Sequence, residues 1–313
     1  MDSTQSAVQV DAVTRRFGAL TAVNELSFTA QQGEIFGLLG PNGAGKTTAI
    51  NLITGLLKRH GGAIQILGFD PQTQAREVRR RIGLVPQDTN VYADLSGADN
   101  LLHHAALYCD ELTGIDKRIE AMLRLMNLWE RRSDPVRTYS GGMKRRLALA
   151  RALLHNPPVI LFDEPTLGVD VQGKHVLWEH IKSQQAQGKT FIVSTNNMEE
   201  ADTLCDRLVI IDHGKAIAMD TPERLKAALA RDVIILRTTP IIEDPQDLFR
   251  GLGVQSAAYP QADQLRLEVT NAESIVGELV ARATSGHSLD SVRITRPTLD
   301  DVFLHYTGRA LRE

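Results

Sequence analysis

The sequence predicts an α/β protein with a largely parallel sheet and helices on both of its faces. Four short apolar runs, separated by helical or mixed sequence, are typical of strands that are buried on both faces. They lie at residues 82–85, 159–162, 190–194 and 207–211. A further run, at residues 34–39, leads into a glycine-rich turn and then a helical stretch at 47–57. The order strand, glycine loop, helix is the setting in which a phosphate-binding loop forms.

Two further regions accompany the sheet. A helical insertion at about residues 88–140 contains helical segments at 100–108 and 115–128 with no strand candidate between them. Beyond residue 230, strand candidates alternate with helical segments, which indicates a small α+β domain. The strand candidates are 233–237, 265–269 and 292–295, and the helical segments are 245–252 and 272–282. We therefore expect two domains, residues 1–230 and residues 231–313, with the short helix 223–229 closing the first.

Composition and charge exclude several classes of function. The 313 residues are 42% hydrophobic and carry a formal charge of -3, which disfavours a nucleic-acid partner bound through bulk positive charge. Cys109 and Cys205 lie far apart, so we expect small buried side chains in a reducing compartment. The N-terminus lacks the pattern of a secretory signal, and every apolar run is soon interrupted by charge or glycine. We expect a cytoplasmic protein that reaches a membrane only through another subunit.

The glycine-rich turn fits the pattern G-x-x-x-x-G-K-[ST] in full. Its glycines allow backbone N–H groups to turn toward an anion, and the helix start adds the positive end of its dipole. Lys46 would bind the β- and γ-phosphates, Thr47 would bind Mg²⁺, and Thr48 would add a donor near the α-phosphate. The alternative is a chance glycine turn. The predicted ATP-binding run consists of Gly40, Pro41, Asn42, Gly43, Ala44, Gly45, Lys46, Thr47 and Thr48.

Two adjacent carboxylates, Asp163 and Glu164, follow the apolar run at residues 159–162. At the carboxyl end of a strand, Asp163 can hold Mg²⁺ through water and Glu164 can polarise an attacking water. Most such pairs are solvated loop ends, but the phosphate-loop pattern in the same chain favours the functional interpretation. The sequence therefore predicts a nucleotide hydrolase.

A serine–glycine segment identifies the kind of hydrolase. Ser140, Gly141 and Gly142 precede a helical stretch, where a hydroxyl and backbone N–H groups can bind an anion, although a plain helix cap has the same pattern. With this segment between the phosphate loop and the carboxylates, residues 8–230 resemble the nucleotide-binding subunits of ABC transporters. The resemblance implies a P-loop NTPase core of the ABC type with an antiparallel β subdomain and a helical insertion. In that family the segment covers the γ-phosphate of ATP bound to a partner subunit.

The resemblance also assigns roles to three other residues. Phe17 lies where the family stacks an aromatic ring on adenine, although it could be an ordinary apolar turn residue. Gln87 matches the glutamine that contacts Mg²⁺ and the attacking water, and Asp170 matches the loop that links two ATP sites across a dimer. The family therefore implies ATP and Mg²⁺ as cofactors, Thr47, Gln87 and Asp163 as metal-binding residues, and a homodimer.

One position departs from the family pattern. Asn196 stands where the family usually has a histidine that contacts the γ-phosphate. An asparagine amide can donate a hydrogen bond, but it cannot carry a proton or a positive charge. The hypotheses that remain open are that hydrolysis is slower with ATP binding retained, that the amide substitutes adequately, or that the local register of the motif differs from this alignment. Glu164, Lys46, Gln87 and Asn196 are the predicted catalytic residues.

The C-terminal run of the sequence indicates a particular subfamily. The run from Arg296 to Gly308 resembles the C-terminal signature of ATPases that serve daunorubicin-resistance exporters. The resemblance implies a separate polytopic membrane permease of the ABC-2 exporter type, reached from the inner face of the cell membrane and exporting a drug, lipid or glycan. The alternatives are a soluble, non-transport ABC ATPase and a weakly hydrolysing regulatory module. The basic runs 79–81 and 144–146 are expected to lie on the solvent sides of helices.

Overall fold

The computed structural model describes residues 5–109, 111–167, 169, 171–229, 232–261 and 264–307. The chain forms two compact units, the first ending at Asp220 and the second beginning at Thr221. The sequence prediction placed this boundary ten residues later, after residue 230. The difference arises because the helix Pro222–Ala228 packs against the helix Leu299–Thr307, within the second unit.

The first unit contains nine described strands, which form two sheets, and seven described α-helices, with two short 3₁₀ helices at Trp129–Arg131 and Val136–Thr138. Its strands are β1 (Ser6–Phe17), β2 (Leu20–Gln31), β3 (Ile35–Leu39), β4 (Gly61–Ile66), β5 (Ile82–Val85), β6 (Val159–Asp163), β7 (Thr190–Thr195), β8 (Arg207–Asp212) and β9 (Lys215–Asp220). Its helices are α1 (Lys46–Ile53), α2 (Ala75–Arg81), α3 (Gly97–Tyr108), α4 (Ile115–Leu125), α5 (Gly141–Leu154), α6 (Val171–Gln185) and α7 (Met198–Leu204).

The larger sheet has the strand order β5-β6-β7-β3-β8-β9. The first five strands are parallel, and β9 pairs with β8 in the antiparallel sense. Every residue of β3, β6 and β7 is buried, as expected for parallel strands that are covered on both faces. The predicted α/β class with a largely parallel sheet is confirmed.

The smaller sheet is antiparallel, with the order β2-β1-β4. Its apolar side chains join one core with α1 and with the larger sheet. The rings of Phe28 and Phe36, one from each sheet, are stacked with centroids 5.1 Å apart. This contact ties the strand before the phosphate loop to the antiparallel sheet, as the predicted β subdomain requires.

The helical insertion consists of α3 and α4, which pack against each other and against α5. Helix α4 ends at Leu125 rather than Leu128 because Asn127 adopts a left-handed backbone (φ 53°) and Leu128 N–H bonds back to the Leu123 carbonyl. Asn100 at the start of α3 is fully buried. Its side chain donates to the carbonyls of Tyr92 (3.0 Å) and Ser96 (2.9 Å) and accepts from Tyr92 N–H (2.9 Å).

The second unit is a four-stranded antiparallel sheet in the order β11-β12-β10-β13 with four helices. Its elements are α8 (Pro222–Ala228), β10 (Asp232–Thr239), α9 (Pro245–Leu248), β11 (Val254–Gln261), β12 (Gln264–Val269), α10 (Ala272–Thr284), β13 (Ser288–Thr295) and α11 (Leu299–Thr307). Leu236 and Leu267 of the sheet form one buried cluster with Phe249 and with Leu279 of α10. The predicted α+β composition of this region agrees with these elements.

Some elements differ from the sequence prediction for local reasons. Strands β4, β9 and β11 were not predicted, since β4 begins with two glycines, β9 is mostly exposed and β11 contains Pro260. Helix α9 has four residues instead of the expected eight. It stops because Gly251 and Gly253 both adopt left-handed conformations, with φ of 84° and 72°.

Replacing Asn100 with Ala is expected to destabilise the first unit by about 2 kcal/mol, because two backbone groups of Tyr92 lose their partner. Both tryptophans, Trp129 and Trp178, lie in this unit, so tryptophan fluorescence during urea unfolding reports on it selectively. Ser96→Ala is the matched control, since it removes only the exposed N-cap of the same helix and should cost about 1 kcal/mol. A smaller loss for Asn100→Ala than for Ser96→Ala would contradict this assignment.

Candidate functional site

Four neighbouring parallel strands of the larger sheet end at one edge, in the order β5, β6, β7, β3. The segment after each strand carries a residue that the sequence singled out: Gln87 after β5, Glu164 after β6, Asn196 after β7 and Gly40 after β3. The backbone registers align these ends, with Asp163 opposite Ser194 and Leu39 opposite Thr195. The carboxyl edge of a parallel sheet is where ligands bind in this class of fold.

The phosphate loop depends on two glycines with close backbone neighbours. A Cβ at Gly40 would lie 2.2 Å from the Ile211 carbonyl oxygen, and one at Gly45 would lie 2.4 Å from that of Ala22. Gly45 also has a φ of 105° and forms the N-cap of α1, where no side chain caps the helix. The start of α1 therefore directs backbone N–H groups and its positive dipole end into the loop.

Lys46, the first residue of α1, is buried with 4% of its surface exposed. Its ammonium donates to the carbonyls of Gly40 (2.8 Å) and Pro41 (3.1 Å) and lies 3.4 Å from Glu164 Oε1. Burial lowers the pKa of Lys46, while the charges of Glu164 and Asp163 oppose that shift. These contacts hold a cation against the inner surface of the loop.

Asp163 connects three neighbouring elements through one oxygen. Its Oδ1 accepts from Thr47 Oγ1 (3.2 Å) at the start of α1 and from Ser194 Oγ (2.5 Å) on β7. The carboxylate is buried, with 3% exposure. Asp163 and Thr47, predicted to hold a metal together, are thus brought into direct contact.

Glu164 is held at both its backbone and its side chain. Its N–H donates to the Ser194 carbonyl (3.0 Å) and to Ser194 Oγ (3.2 Å), and its backbone is left-handed, with a φ of 49°. One carboxylate oxygen faces Lys46, and the other accepts from Gln87 Nε2 at 3.3 Å. The two residues predicted to handle water are therefore adjacent.

Asn196 reaches the phosphate loop directly. Its side-chain Nδ2 donates to Oδ1 of Asn42 at 3.2 Å. Asn42 is exposed and lines the cavity over the loop, whereas Asn196 is half-buried and does not line it. The register of the segment after β7 thus places Asn196 beside the loop.

A cavity of about 540 Å³ lies over the loop. Its volume is within the range of sites for small ligands, roughly 300–1,000 Å³. The predicted residues that line it are Phe17, Asn42, Gly43, Gly45, Lys46, Thr47, Thr48, Gln87 and Glu164. Phe17 is 43% exposed, with the guanidinium of Arg15 4.6 Å from its ring centre. An exposed, cation-flanked ring at the cavity is suited to stacking on a base.

Four lining residues were not found from the sequence. Leu20, Thr21 and Ala22 come from the start of β2, and His213 comes from the β8–β9 turn. No local motif marks them, since they reach the cavity only through the pairing of the two sheets. The close contact of the Ala22 carbonyl with Gly45 is the structural reason that β2 borders the loop.

The serine–glycine segment does not line this cavity. Ser140 is the N-cap of α5, and its Oγ accepts from Met143 N–H at 3.2 Å. Gly141 and Gly142 are exposed, and a Cβ at either would meet nothing within 4 Å. The segment therefore presents an open helix start away from the chain's own phosphate loop. Asp170, the remaining predicted residue, lies outside the described residues.

Arg145 corrects the expectation that the basic run 144–146 lies on the solvent side of its helix. Its side chain is buried, with 8% exposure, and it donates only to main-chain carbonyls of two loops. Burial lowers the pKa of Arg145, and the nearby carboxylate of Asp163 opposes the shift. The sequence run 144–146 could not predict this burial, because its three cations look alike and only the direction of α5 turns Arg145 inward.

This geometry defines a P-loop nucleotide-binding domain. The ABC transporter family profile matches residues 23–167. A second profile, for the C-terminal domain of DrrA1-3-like ATP-binding proteins, matches residues 221–307. It begins at the boundary between the two compact units.

The relatives extend over nearly the whole chain. The chain is 36% identical to the linearmycin resistance ATP-binding protein LnrL of Bacillus subtilis, over 98% of this chain and 100% of that protein. It is 36% identical to the Nod factor export ATP-binding protein I of Ralstonia nicotianae, over 98% of this chain and 95% of that protein. A solved ATP-binding subunit of an ABC transporter superposes with a TM-score of 0.67 at 30% identity, over 71% of this chain and 93% of that one.

The chain therefore belongs to the ATP-binding proteins of ABC transporters. It binds ATP, and its enzymatic activity is ATP hydrolysis coupled to transport. Among the described residues, no helix is both long enough and apolar enough to cross a membrane.

Proposed function

We propose that the chain is the Mg²⁺-dependent, ATP-hydrolysing subunit of an ABC-2 type exporter. It works as a homodimer at the cytoplasmic face of a separate polytopic permease. The observation that carries this proposal is the arrangement at the sheet edge, where Lys46 and Gln87 flank Glu164 beside the Thr47–Asp163 pair. These are the groups needed to bind phosphates, a metal ion and an attacking water.

The residues at the sheet edge fit Mg²⁺ rather than a metal that needs a protein cage. Thr47 and Asp163 supply a hydroxyl and a carboxylate oxygen that lie 3.2 Å apart. Gln87 donates a hydrogen bond to the neighbouring carboxylate, that of Glu164. Mg²⁺ prefers oxygen ligands and takes most of them from phosphates and water. When bound, Mg²⁺ would neutralise phosphate charge.

The residues of this chain perform the other steps. Lys46 and the N–H groups at the start of α1 bind the phosphate oxygens. Glu164, held by Lys46 and Gln87, accepts a proton from the attacking water. Because these groups are fixed by the sheet, catalysis rests on positioning and charge stabilisation.

A second copy would complete the site. Ser140 to Gly142 form an exposed helix start that does not line their own cavity, so they are available to ATP bound by another subunit. One structural neighbour, a dimeric ATP-binding cassette with ADP and Pi, has a TM-score of 0.61 at 27% identity, over 68% of this chain and 98% of that one. Asp170 would lie in the link between the two sites.

Export as the direction of transport rests on the relatives, which are described as resistance or export ATP-binding proteins. The transported compound would be a drug, lipid or glycan carried by the permease. A soluble, non-transport ABC ATPase is the rival. Co-purification with a polytopic membrane protein supports the exporter, and ATPase activity that is unaffected by any such protein supports the rival.

Glu164→Gln is expected to lower kcat for ATP hydrolysis by about 100-fold or more, because an amide keeps the shape of the side chain but cannot accept the proton. ATP affinity should stay within a few-fold of wild type. Lys46→Met is the matched comparison and should weaken ATP binding itself, since it removes the buried cation at the phosphates. Steady-state ATPase and equilibrium nucleotide titration separate the two effects. Undiminished turnover in Glu164→Gln would rule out its role as the base.

Gly142→Glu is expected to abolish ATP-dependent dimerisation. The new side chain has open space around it in the single chain and a favourable position at a helix start, so the melting temperature should change little. In the dimer, however, its charge would face the γ-phosphate. Light scattering with ATP and Mg²⁺, in the Glu164→Gln background, measures the change. A normal ATP-dependent dimer in Gly142→Glu would contradict the shared site.

A second candidate function is that of a regulatory module that binds ATP and hydrolyses it weakly, and Asn196 is the residue that favours it. Its amide contacts Asn42 of the phosphate loop but brings no charge. If the amide limits turnover, Asn196→His should raise kcat by about tenfold, the scale of one charge-assisted hydrogen bond. Steady-state ATPase of both proteins measures this. No gain on introducing histidine would mean that the asparagine substitutes adequately.

A further inference from the structure

Arg145 makes an unusual set of contacts for a buried cation. Its five N–H donors each face a different main-chain carbonyl, on the loop after β5 and on the end of β6 with the loop that follows it. Nε faces Pro165, Nη1 faces Pro86 (2.6 Å) and Gln87 (3.2 Å), and Nη2 faces Glu164 (3.1 Å) and Asp163 (3.5 Å). The Nε distance to Pro165 is 3.3 Å. One side chain therefore spans the loop after β5 and the loop after β6.

These two loops carry the groups proposed to handle the attacking water. Gln87 and Glu164 touch through their side chains at 3.3 Å, and Arg145 binds the backbone carbonyls of both. A change in either carbonyl position would change the side-chain contact. Arg145 thus acts on the reacting groups through the backbone and not by touching the substrate.

The backbone of Glu164 explains why such a clamp is needed. Its φ of 49° is a conformation that costs energy for a residue with a side chain and persists only where its surroundings hold it. Ser194 holds the N–H side of the peptide, and Arg145 holds the carbonyl side. Without Arg145, one of the two restraints on this backbone is removed.

The choice of arginine follows from the number and direction of its donors. Lysine offers three donors from one point and cannot reach five carbonyls on two loops. A buried cation is also expensive compared with an apolar side chain of similar size, so stability alone does not explain its presence. The contact set instead suits a residue that fixes geometry.

We propose that Arg145 is a positioning residue for ATP hydrolysis. From helix α5, whose N-cap is Ser140, it holds the side chains of Gln87 and Glu164 at their contact distance. This role rests on the proposed function of Glu164 as the base. The same helix presents Ser140 and Gly142 to the second copy, so Arg145 joins the segment that acts on the partner's ATP to the carboxylate that acts on its own.

The test compares Arg145→Ala and Arg145→Lys with the wild-type full-length chain. A displacement of the base by about 1 Å can cost 100-fold in rate, so we expect kcat to fall by about that factor. KM and equilibrium ATP affinity should stay within a few-fold, because Arg145 does not line the ATP cavity. Arg146→Ala is the matched control, since that neighbour donates to the Met126 carbonyl in the helical insertion and should retain turnover.

Chemical rescue separates positioning from a general loss of structure. Guanidinium at millimolar, non-denaturing concentrations should restore part of kcat in Arg145→Ala, whereas methylammonium should not, because it lacks the planar fork of donors. Guanidinium should not restore Lys46→Met, whose missing group binds the phosphates. Wild-type turnover in Arg145→Ala, or a parallel loss of kcat and ATP affinity without rescue, would overturn the proposal.

Glu164→Gln distinguishes this proposal from the one on which it rests. Full activity in Glu164→Gln overturns the proposed chemistry and the role of Arg145 together. Low activity in Glu164→Gln with full activity in Arg145→Ala overturns only the role of Arg145. Low activity in both, with guanidinium rescue confined to Arg145→Ala, supports both.

Discussion

The parallel alignment of β5, β6, β7 and β3 is the constraint on which the rest of the molecule depends. Parallel strands end at a common edge, so segments that are distant in the sequence meet there without any long loop. Gln87 and Glu164 are 77 residues apart in the chain, yet their side chains are 3.3 Å apart. Asp163 connects neighbouring elements at the same edge, since it accepts hydrogen bonds from Thr47 of α1 and from Ser194 of β7. The buried sheet therefore sets the distances between the groups proposed to act in catalysis.

The sequence predicts well what is encoded in consecutive residues. The loop from Gly40 to Thr47 has a fixed spacing because Gly40 and Gly45 make close backbone contacts, which any chain with this turn must satisfy. The strands of the larger sheet are equally visible, since burial on both faces leaves uninterrupted apolar runs. Exposed or irregular elements are harder to predict, as the edge strand β9 shows. Its alternation is too weak to distinguish it from a loop.

Contacts made across the fold could not be predicted from local pattern. Ala22 and His213 border the cavity over the phosphate loop because β2 and the β8–β9 turn pack beside the loop, and neither residue lies in a motif. Arg145 was misassigned for a related reason. In the run 144–146 the three cations look alike, and only the direction of α5 decides which one enters the core. A buried arginine with main-chain acceptors has no sequence signature, since carbonyls are present at every residue.

The proposed dimer would depend on one helix of each chain. The cavity over the phosphate loop is open, and the helix start at Ser140 faces elsewhere, although α5 itself is anchored to the catalytic loops through Arg145. Arg145 lies in the first two turns of α5, close to the exposed start at Ser140, and the remainder of the helix is largely buried. The exposed start and the anchor therefore belong to one rigid segment, which transmits position better than a flexible loop. Closure onto a second copy would therefore act on the same rigid element that holds Glu164. Binding of ATP between two chains and the geometry of hydrolysis within each would then depend on one helix, which is a physical basis for coupling the two sites.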